Sequence, residues 1–505
     1  MNIFTNYSKI KKLVQKLKKN KKKLGLCHGV FDVLHYGHVK HFEAAKKKCD
    51  ILFVSVTEDK FIKKGINRPI HSHDERLHFL KKLNMIDYVF IAEGDSGVKS
   101  INLIKPDIYF KGNDYKDNQS DKTKKIFLEI DALKNNKGKI VYTNEKHMSS
   151  SEIINKLQLD LNNKQIDFLK NVKKKINYRG LEKSLNKIKH DNVMVVGDLI
   201  IDEYIFGNVK GKSGKEPHMV FSKKFEEMHI GGSSIIANHI SEFVKKVTLI
   251  SDFGNETKIK SLLNKTLKKN ISHVKLNINR SQKSCIKTRF IDIVSKYKLF
   301  GSYLLPNLDV KNFHSLLNKK LIKYISKNDI VIVADYSNDF FDLNSLKKIK
   351  KSKKFISGMA QKNSNNSVFH TINHLKNFDL LCINEGELRS ELKDKKSNIE
   401  SIAKKFIKKN NLKYFVVTRG IDGSFLFDAK LNKYHCPAFN SKPIDKVGAG
   451  DSMLAILSVL LKHKIDPSVS LLIASIVSSI VVNNIGNKYS INKIELEKSL
   501  EYLLK

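Results

Sequence analysis

The sequence is poor in cysteine, in long apolar runs and in negative charge, and each lack excludes something. Cys27, Cys49, Cys285, Cys382 and Cys436 are widely scattered over 505 residues. No two have C-x-x-C spacing, so neither a disulfide framework nor a zinc site is indicated. A reducing, cytoplasmic setting is expected. The segment Lys9–Lys23 is basic and amphipathic without an apolar stretch, which is not the pattern of a secretory signal. One uncharged run exists, 467–487, but Ser468, Ser470, Ser475, Ser478, Ser479, Asn483 and Asn484 interrupt it. It reads as a buried core helix rather than a membrane span. Acidic residues number 51 against 93 Lys and Arg, a net charge of +42. The lysines are spread along the chain in helix-like runs such as Lys16–Lys23 and Lys347–Lys354, with no aromatic interleaving. No nucleic-acid platform and no membrane surface is expected from them. A positive field would instead attract nucleotides and sugar phosphates.

What is present is a double α/β pattern without internal repeat. The length calls for more than one core. An amphipathic helix is expected over 8–20, then strands at Leu24–Cys27, Ile51–Val56, Tyr88–Ile91, Ile108–Lys111 and Ile140–Tyr142. Helical spacing at Val39–Lys48 separates the first two. Strands alternating with helices imply a parallel sheet with right-handed crossovers. This first domain is expected over 1–158, and a Lys-rich helical linker over 159–190. A second α/β series, 191–505, begins at Val193–Val196. It continues through Val247–Ile250, Ile330–Ala334, Lys354–Ser357, Leu380–Ile383, Tyr414–Thr418 and Ser424–Phe427. Two long helices close it, roughly Asp451–Lys462 and Ser468–Asn484.

The densest chemical signal is the string His28-Gly29-Val30-Phe31-Asp32-Val33-Leu34-His35-Tyr36-Gly37-His38, between a strand and a helix. A helix start offers unpaired N–H groups and the positive dipole end, which suit phosphate. His35 and His38 are three apart and can face one ligand. Two imidazoles there can donate hydrogen bonds to charge developing on a phosphoryl oxygen. No acidic residue has the spacing of a metal site.

This string resembles the HxGH motif of the cytidylyltransferase-like nucleotidyltransferases, over roughly residues 20–157. Further landmarks are Lys46, Arg68-Pro69, Glu75-Arg76, Lys111-Gly112-Asn113-Asp114-Tyr115 and Ser149-Ser150-Ser151-Glu152-Ile153-Ile154. The Lys-Gly-x-Asp-Tyr element is similar to the sugar-1-phosphate adenylyltransferases. The resemblance implies a Rossmann-like fold. It places Gly29, Phe31, His35, His38, Lys46, Lys111 and Ser149, Ser150 and Ser151 around the nucleotide phosphates. His28 stands where the family has Thr or Asn. The implied reaction is attack of a sugar-1-phosphate on a nucleoside triphosphate, ATP or CTP, with release of pyrophosphate and Mg²⁺ on the triphosphate. A CTP-dependent transferase for a polyol phosphate is the alternative that the HxGH motif alone leaves open.

The second signal is Asp445-Lys446-Val447-Gly448-Ala449-Gly450-Asp451 before an apolar helix. Its glycines let backbone N–H groups converge into an anion nest. Asp451 is placed to take a proton from an attacking hydroxyl. The pattern resembles the ribokinase-like (PfkB) carbohydrate kinases over about residues 190–500, a three-layer α/β/α fold. Supporting elements are Gly197-Asp198 with Asp202, Gly231-Gly232, Asn384-Glu385-Gly386-Glu387, and Thr418-Arg419-Gly420 with Asp422-Gly423. The resemblance implies Asp451 as catalytic base, Gly448, Ala449 and Gly450 as anion hole, and Asp198, Asp202, Gly231 and Gly232 at the sugar. It puts Asn384, Glu387, Thr418 and Gly420 at the nucleotide, with Glu387 acting on Mg²⁺ indirectly. Ile235 stands where the family has an Asn for the sugar, Ser337-Asn338 where heptose kinases have Lys-Gly, and Lys446 where Thr is usual. Both halves together resemble the bifunctional heptose-phosphate kinase/adenylyltransferases with the domain order inverted. The partners implied are a nucleoside triphosphate and a sugar phosphate. A homodimer is left open. A sugar-sensing or scaffolding role is the non-enzymatic alternative, and retention of Asp451 speaks against it.

Overall fold

The computed structural model describes residues 2–4, 7–62, 68–112, 125–143, 161–276, 282–306, 309–361, 371–440 and 443–504. They fall into two compact units, chiefly residues 1–162 with Glu497–Leu503, and residues 163–496.

In the first unit six strands form one sheet. They are β1 (Asn2–Phe4), β2 (Leu24–Gly29), β3 (Ile51–Thr57), β4 (Tyr88–Ala92), β5 (Ile108–Gly112) and β6 (Lys139–Thr143). Their order is β1-β4-β3-β2-β5-β6, and every pair is parallel. Strands covered on both faces read as continuous apolar runs, which is why Ile51–Val56 is legible as a strand. The order reverses between β2 and β5. A crevice therefore opens at their carboxyl ends, the usual place for a ligand in such sheets. The helix Tyr36–Lys46 follows β2 and begins at that crevice.

The second unit contains β7 (Asn192–Gly197), β8 (Leu199–Lys212), β9 (Met219–Gly232), β10 (Lys246–Asp252), β11 (Ile271–Leu276), β12 (Cys285–Asp292), β13 (Lys298–Leu304), β14 (Ile330–Asp335), β15 (Phe355–Ala360), β16 (Leu380–Asn384), β17 (Tyr414–Thr418), β18 (Ser424–Asp428) and β19 (Lys433–Cys436). Nine of them make the main sheet, in the order β11-β10-β7-β14-β15-β16-β17-β18-β19. It is parallel up to β17 and antiparallel at β18 and β19. The other four form a separate sheet, β13-β12-β8-β9.

The sequence pattern does not predict that four-stranded sheet. Its strands are long but carry charge, with Lys223-Lys224 and Glu226-Glu227 inside β9, and β13 is exposed throughout. The two hairpins, β8 with β9 and β12 with β13, are joined by a pairing remote in sequence, since β8 lies parallel to β12. Local apolar alternation cannot announce such a strand.

The expected linker is helical where described, at Asn163–Lys175 and Tyr178–Lys187, but it belongs to the second unit. Leu169, Val172, Leu181 and Leu185 are buried. Gln165 Nε2 donates to the Ala438 carbonyl at 2.7 Å, and Lys175 pairs with Asp466 at 3.0 Å. Glu497–Leu503, expected in the second domain, group with the first unit.

The uncharged run forms the helix Pro467–Val481, capped by Asp466. It packs on the helix Ala449–Lys462, and both are buried around nearly their whole circumference. Serines inside them are satisfied by the preceding turn: Ser458 Oγ donates to Leu454 O at 2.6 Å and Ser479 Oγ to Ser475 O at 2.8 Å. Among the described residues no helix is long and apolar enough to cross a membrane.

Candidate active sites

In the first unit His35 is the N-cap of the helix Tyr36–Lys46, and its Nδ1 accepts from the Gly37 N–H at 3.1 Å. That bond leaves the ring proton of a neutral imidazole on Nε2. The His35 and His38 rings lie 3.9 Å apart, centroid to centroid, tilted by 32°. Phe31 meets His38 edge-on at 5.4 Å, with its backbone in the left-handed region at φ 51°. Gly29 packs directly against the Phe31 ring. The motif thus gathers its two histidines into one stack at the start of a helix, at the switch point of the sheet.

The loops around this stack are tied by buried charge. Asp32 is paired with Arg68 at 2.7 Å, both almost fully buried, and accepts from the Ile70 and His71 N–H groups. Arg76 is fully buried. It donates to the Val30, Thr57 and His71 carbonyls and pairs with Asp59, which joins the ends of β2 and β3 to the helix His73–Lys81. Glu75 closes a capping box with Ser72.

Two of the lysines expected at the phosphates are engaged by carboxylates. Lys46 sits at the far end of its helix, about 15 Å from the capped end by helical rise. There it binds Asp87 at 2.6 Å and the Asp50 carbonyl. Lys111 is 7% exposed and pairs with Glu129 at 2.9 Å. Glu129 also accepts from the Tyr109 hydroxyl at 2.9 Å and the Gly97 N–H at 2.7 Å. Burial pushes Glu129 up, but Lys111, His28 and the Gly97 N–H together oppose it and the carboxyl rests below its ordinary value. Burial, helped by Lys111, pushes His28 down to about 4, so it is a neutral imidazole bonded to Ser55 Oγ at 2.9 Å. Asn113–Tyr115 and Ser149–Ile154 lie outside the described residues.

In the second unit a cavity of about 530 Å³ opens at the carboxyl ends of the main sheet and beneath the four-stranded sheet. It brings together Asp202, Gly232, Asn384 and Glu387 with Thr418, Gly420, Gly448–Gly450 and Asp451. Gly448 is the N-cap of the helix Ala449–Lys462 at φ 83°, a conformation that costs a residue with a Cβ. Asp451 lies in the first turn, 8% exposed, and accepts the Tyr336 hydroxyl at 2.5 Å. Burial pushes Asp451 up to about 6, with the Tyr336 bond opposing. A base poised just below neutrality is suited to taking a hydroxyl proton.

Asp198 and Gly231 stand just behind this wall. Asp198 accepts from the Tyr336 N–H at 2.8 Å, and burial beside Asp335 and Asp252 pushes it up to about 8. Gly231 packs on Asp202, where a Cβ would come within 2.3 Å of the carboxylate. Asn384 and Glu387 form a capping box at the start of the helix Glu385–Leu392, through Glu387 Oε2 and Asn384 Oδ1. Ile235 is in the apolar core with Leu199, Ile201, Ile230 and Phe253, turned away from the cavity. Ser337 Oγ is bonded to the Gln361 carbonyl.

Sequence motifs do not single out the cations of the second sheet. Lys287 and Arg289 on β12 and Lys298 on β13 all line the cavity. Arg289 binds Asp202 and Lys298 binds Asp445, each at 2.6 Å. Lys287 is 7% exposed with no carboxylate in ion-pair range among the described residues. Its ammonium lies 5.5 Å and 5.6 Å from the rings of Tyr336 and Tyr303. The one signal is the i, i+2 spacing of Lys287 and Arg289, which puts both on one face of a strand.

Comparison with known proteins agrees with this geometry. Residues 190–494, well over half of the chain, match the model of the pfkB family of carbohydrate kinases. The chain belongs to that family. Ahead of its pfkB domain, residues 26–156 match the cytidylyltransferase-like model. The bifunctional protein HldE of Campylobacter jejuni is 40% identical over 107 residues, 21% of this chain and 23% of that protein. HldE of Helicobacter pylori is 41% identical over 108 residues, again 21% and 23%. Those matches fall on the first unit and span about a quarter of each relative's own length. Among solved structures, phosphofructokinase-2 of Escherichia coli with substrates and products has a TM-score of 0.51 at 16% identity. It covers 62% of this chain and 100% of that one. Its potassium complex gives 0.50 at 16% identity, covering 63% and 100%. These likenesses establish the fold of the pfkB domain.

Proposed function

We propose that the chain activates a phosphorylated sugar in two steps, ATP-dependent phosphorylation in the second unit and nucleotidyl transfer in the first. The observation that carries the reading is Lys287. Burying an ammonium without an ion-paired carboxylate is costly, and Asp202 and Asp445 in the same cavity are already held by Arg289 and Lys298. An anionic substrate group supplies the missing charge, so the acceptor is a sugar that already bears a phosphate. Asp451 takes the proton of the attacking hydroxyl, and the Gly448–Gly450 backbone receives the charge that develops on the transferred phosphoryl group. Heptose 7-phosphate phosphorylated at O1 is the best candidate, from the sequence resemblance and the similarity of the first unit to HldE.

In the first unit the stacked His35 and His38 would donate to the phosphate oxygens of the triphosphate as a heptose 1-phosphate attacks it, giving ADP-heptose and pyrophosphate, so a separate phosphatase must first remove the 7-phosphate from the heptose 1,7-bisphosphate that the kinase unit makes. Mg²⁺ would accompany both nucleotides. Glu387 is a hard oxygen donor lining the kinase cavity, the ligand class that such an ion takes. When bound, the ion neutralises phosphate charge. Among the described residues no group of three or more His, Cys, Asp or Glu forms a ready metal site, so the ion would enter with the nucleotide.

The test is a coupled assay with heptose 7-phosphate, heptose 1-phosphate, glycerol 3-phosphate, ATP and CTP. The expected result is ADP release with the 7-phosphate, and pyrophosphate release from ATP with the 1-phosphate. Pyrophosphate release only from CTP with glycerol 3-phosphate would replace the transferase reading. Release of neither product with any heptose phosphate would sink the whole proposal.

A further inference from the structure

The pfkB domain lacks the amide that the family pattern has at position 235, where Ile235 is buried in the core. Another amide stands at the cavity. Asn487, in the short turn Gly486–Lys488, lines the same cavity and is 5% exposed. Its Nδ2 donates to Asp202 Oδ2 at 2.7 Å. Asp202 is held in turn by Arg289 through its other oxygen. The turn itself is anchored, because the Gly486 N–H donates to Asp445 Oδ2 at 3.0 Å and Lys488 pairs with Glu227 at 3.0 Å. The amide is therefore fixed in orientation.

Its other end is unsatisfied. Asn487 Oδ1 is buried and has no hydrogen-bond partner. It lies beside Gly448, where a Cβ would come within 2.3 Å of it. A buried acceptor left unmade is costly and calls for a donor. The oxygen sits between Asp202 and the first glycine of the anion nest, where the substrate hydroxyls would lie.

We infer that Asn487 is a specificity-determining residue of the kinase site. It reads a substrate hydroxyl through Oδ1 and takes over, from the opposite end of the domain, the polar contact absent at Ile235. This rests on the kinase reading above. The hydroxyl donates to Oδ1 while Asp202 holds Nδ2, so the site selects polyhydroxylated acceptors and discriminates against deoxy analogues. A site built to bond a hydroxyl rejects an analogue lacking it strongly, because its own polar group is then left unpaired.

The experiment uses the full chain and heptose 7-phosphate with ATP, comparing wild type with Asn487→Ala and Asn487→Gln. Asn487→Ala is expected to lower kcat/KM for the sugar phosphate about tenfold or more, with KM for ATP unchanged. Nucleotidyl transfer by the first unit should stay intact, and the unchanged KM for ATP reports that the kinase unit of the variant folds. Asn487→Gln keeps the chemistry but displaces it by a methylene, and should fall between the two. Sugar kcat/KM within twofold of wild type in both variants would overturn the inference while leaving the kinase reading standing. So would a parallel loss for ATP and sugar in Asn487→Ala. If wild type does not turn over heptose 7-phosphate, calorimetric binding of it separates the cases. Binding lost in Asn487→Ala supports the inference without the reading, and binding equal in both, or absent in wild type, overturns the inference.

Discussion

The two candidate sites are built with different amounts of structure. The first is built almost wholly from one short stretch. His35, His38, Phe31 and Gly29 are neighbours in sequence, and one strand end and one helix start bring them together. The second is assembled from the whole unit. Asp451 comes from a late helix, Tyr336 from the end of β14, Lys287 and Arg289 from β12, and Asp202 from β8. A site made from a contiguous string keeps its geometry as long as one turn is kept. A site made of distant strands can exchange individual contacts while its helix-start motif persists. That is the pattern here, with Gly448–Asp451 retained and Ile235 turned into the core.

The largest effect that could undo this contrast is at Asp451. Asp451→Asn is expected to lower sugar phosphorylation roughly 10³-fold, in the middle of the range that a general base contributes, with nucleotidyl transfer unchanged in the same preparation. Equal loss of both activities would mean that the units are not chemically separate. Next in size is His38→Ala. It should cost about 10²-fold in pyrophosphate release, the scale for one lost donor to developing charge, and leave ADP release alone.

A stability measurement separates the two sites in another way. Asp32→Ala leaves the Arg68 guanidinium buried without its partner, which typically costs about 3–5 kcal/mol. Nucleotidyl transfer should then be lost on heating at temperatures where sugar phosphorylation survives. Simultaneous loss would show that the Asp32–Arg68 pair is not the clamp of the first site alone.

The smallest expected effect is a shift in a pH profile. Asp451, at about 6, must be unprotonated to accept a proton, so kcat/KM for phosphorylation should fall as pH drops through about 6. The Tyr336 hydroxyl lowers that value. Tyr336→Phe should therefore move the acid limb upward in pH, while the profile for nucleotidyl transfer stays where it was. A limb that does not move would show that Tyr336 serves only to pack the site.

Both helix-start motifs are legible in the amino-acid sequence, because a glycine turn that opens a helix is a matter of neighbouring residues. The parallel strands are legible for a similar reason, as unbroken apolar runs such as Ile330–Ala334. The lysines are not. Lys46 and Lys111 each carry a charge whose partner is remote in sequence, Asp87 in one case and Glu129 in the other. Which carboxylate a lysine meets depends on how the chain crosses the sheet, and no local pattern contains it. The same holds for the second sheet, where charged residues conceal the strands and β8 pairs with β12 across a long separation.

Residue order alone dictates the two α/β units, the two glycine-bearing helix starts, and Asp451, His35 and His38 as the groups to test. Folding in three dimensions decides the rest. It sets Lys287 facing the kinase cavity without a carboxylate partner among the described residues, turns Ile235 inward, and brings Asn487 round to Asp202 and Gly448 from the end of the domain. The physical reason is that burial and pairing are relations between distant segments. A cation becomes a ligand-binding group, or a carboxylate a base near neutrality, only when folding removes water from it and settles which charges stand beside it.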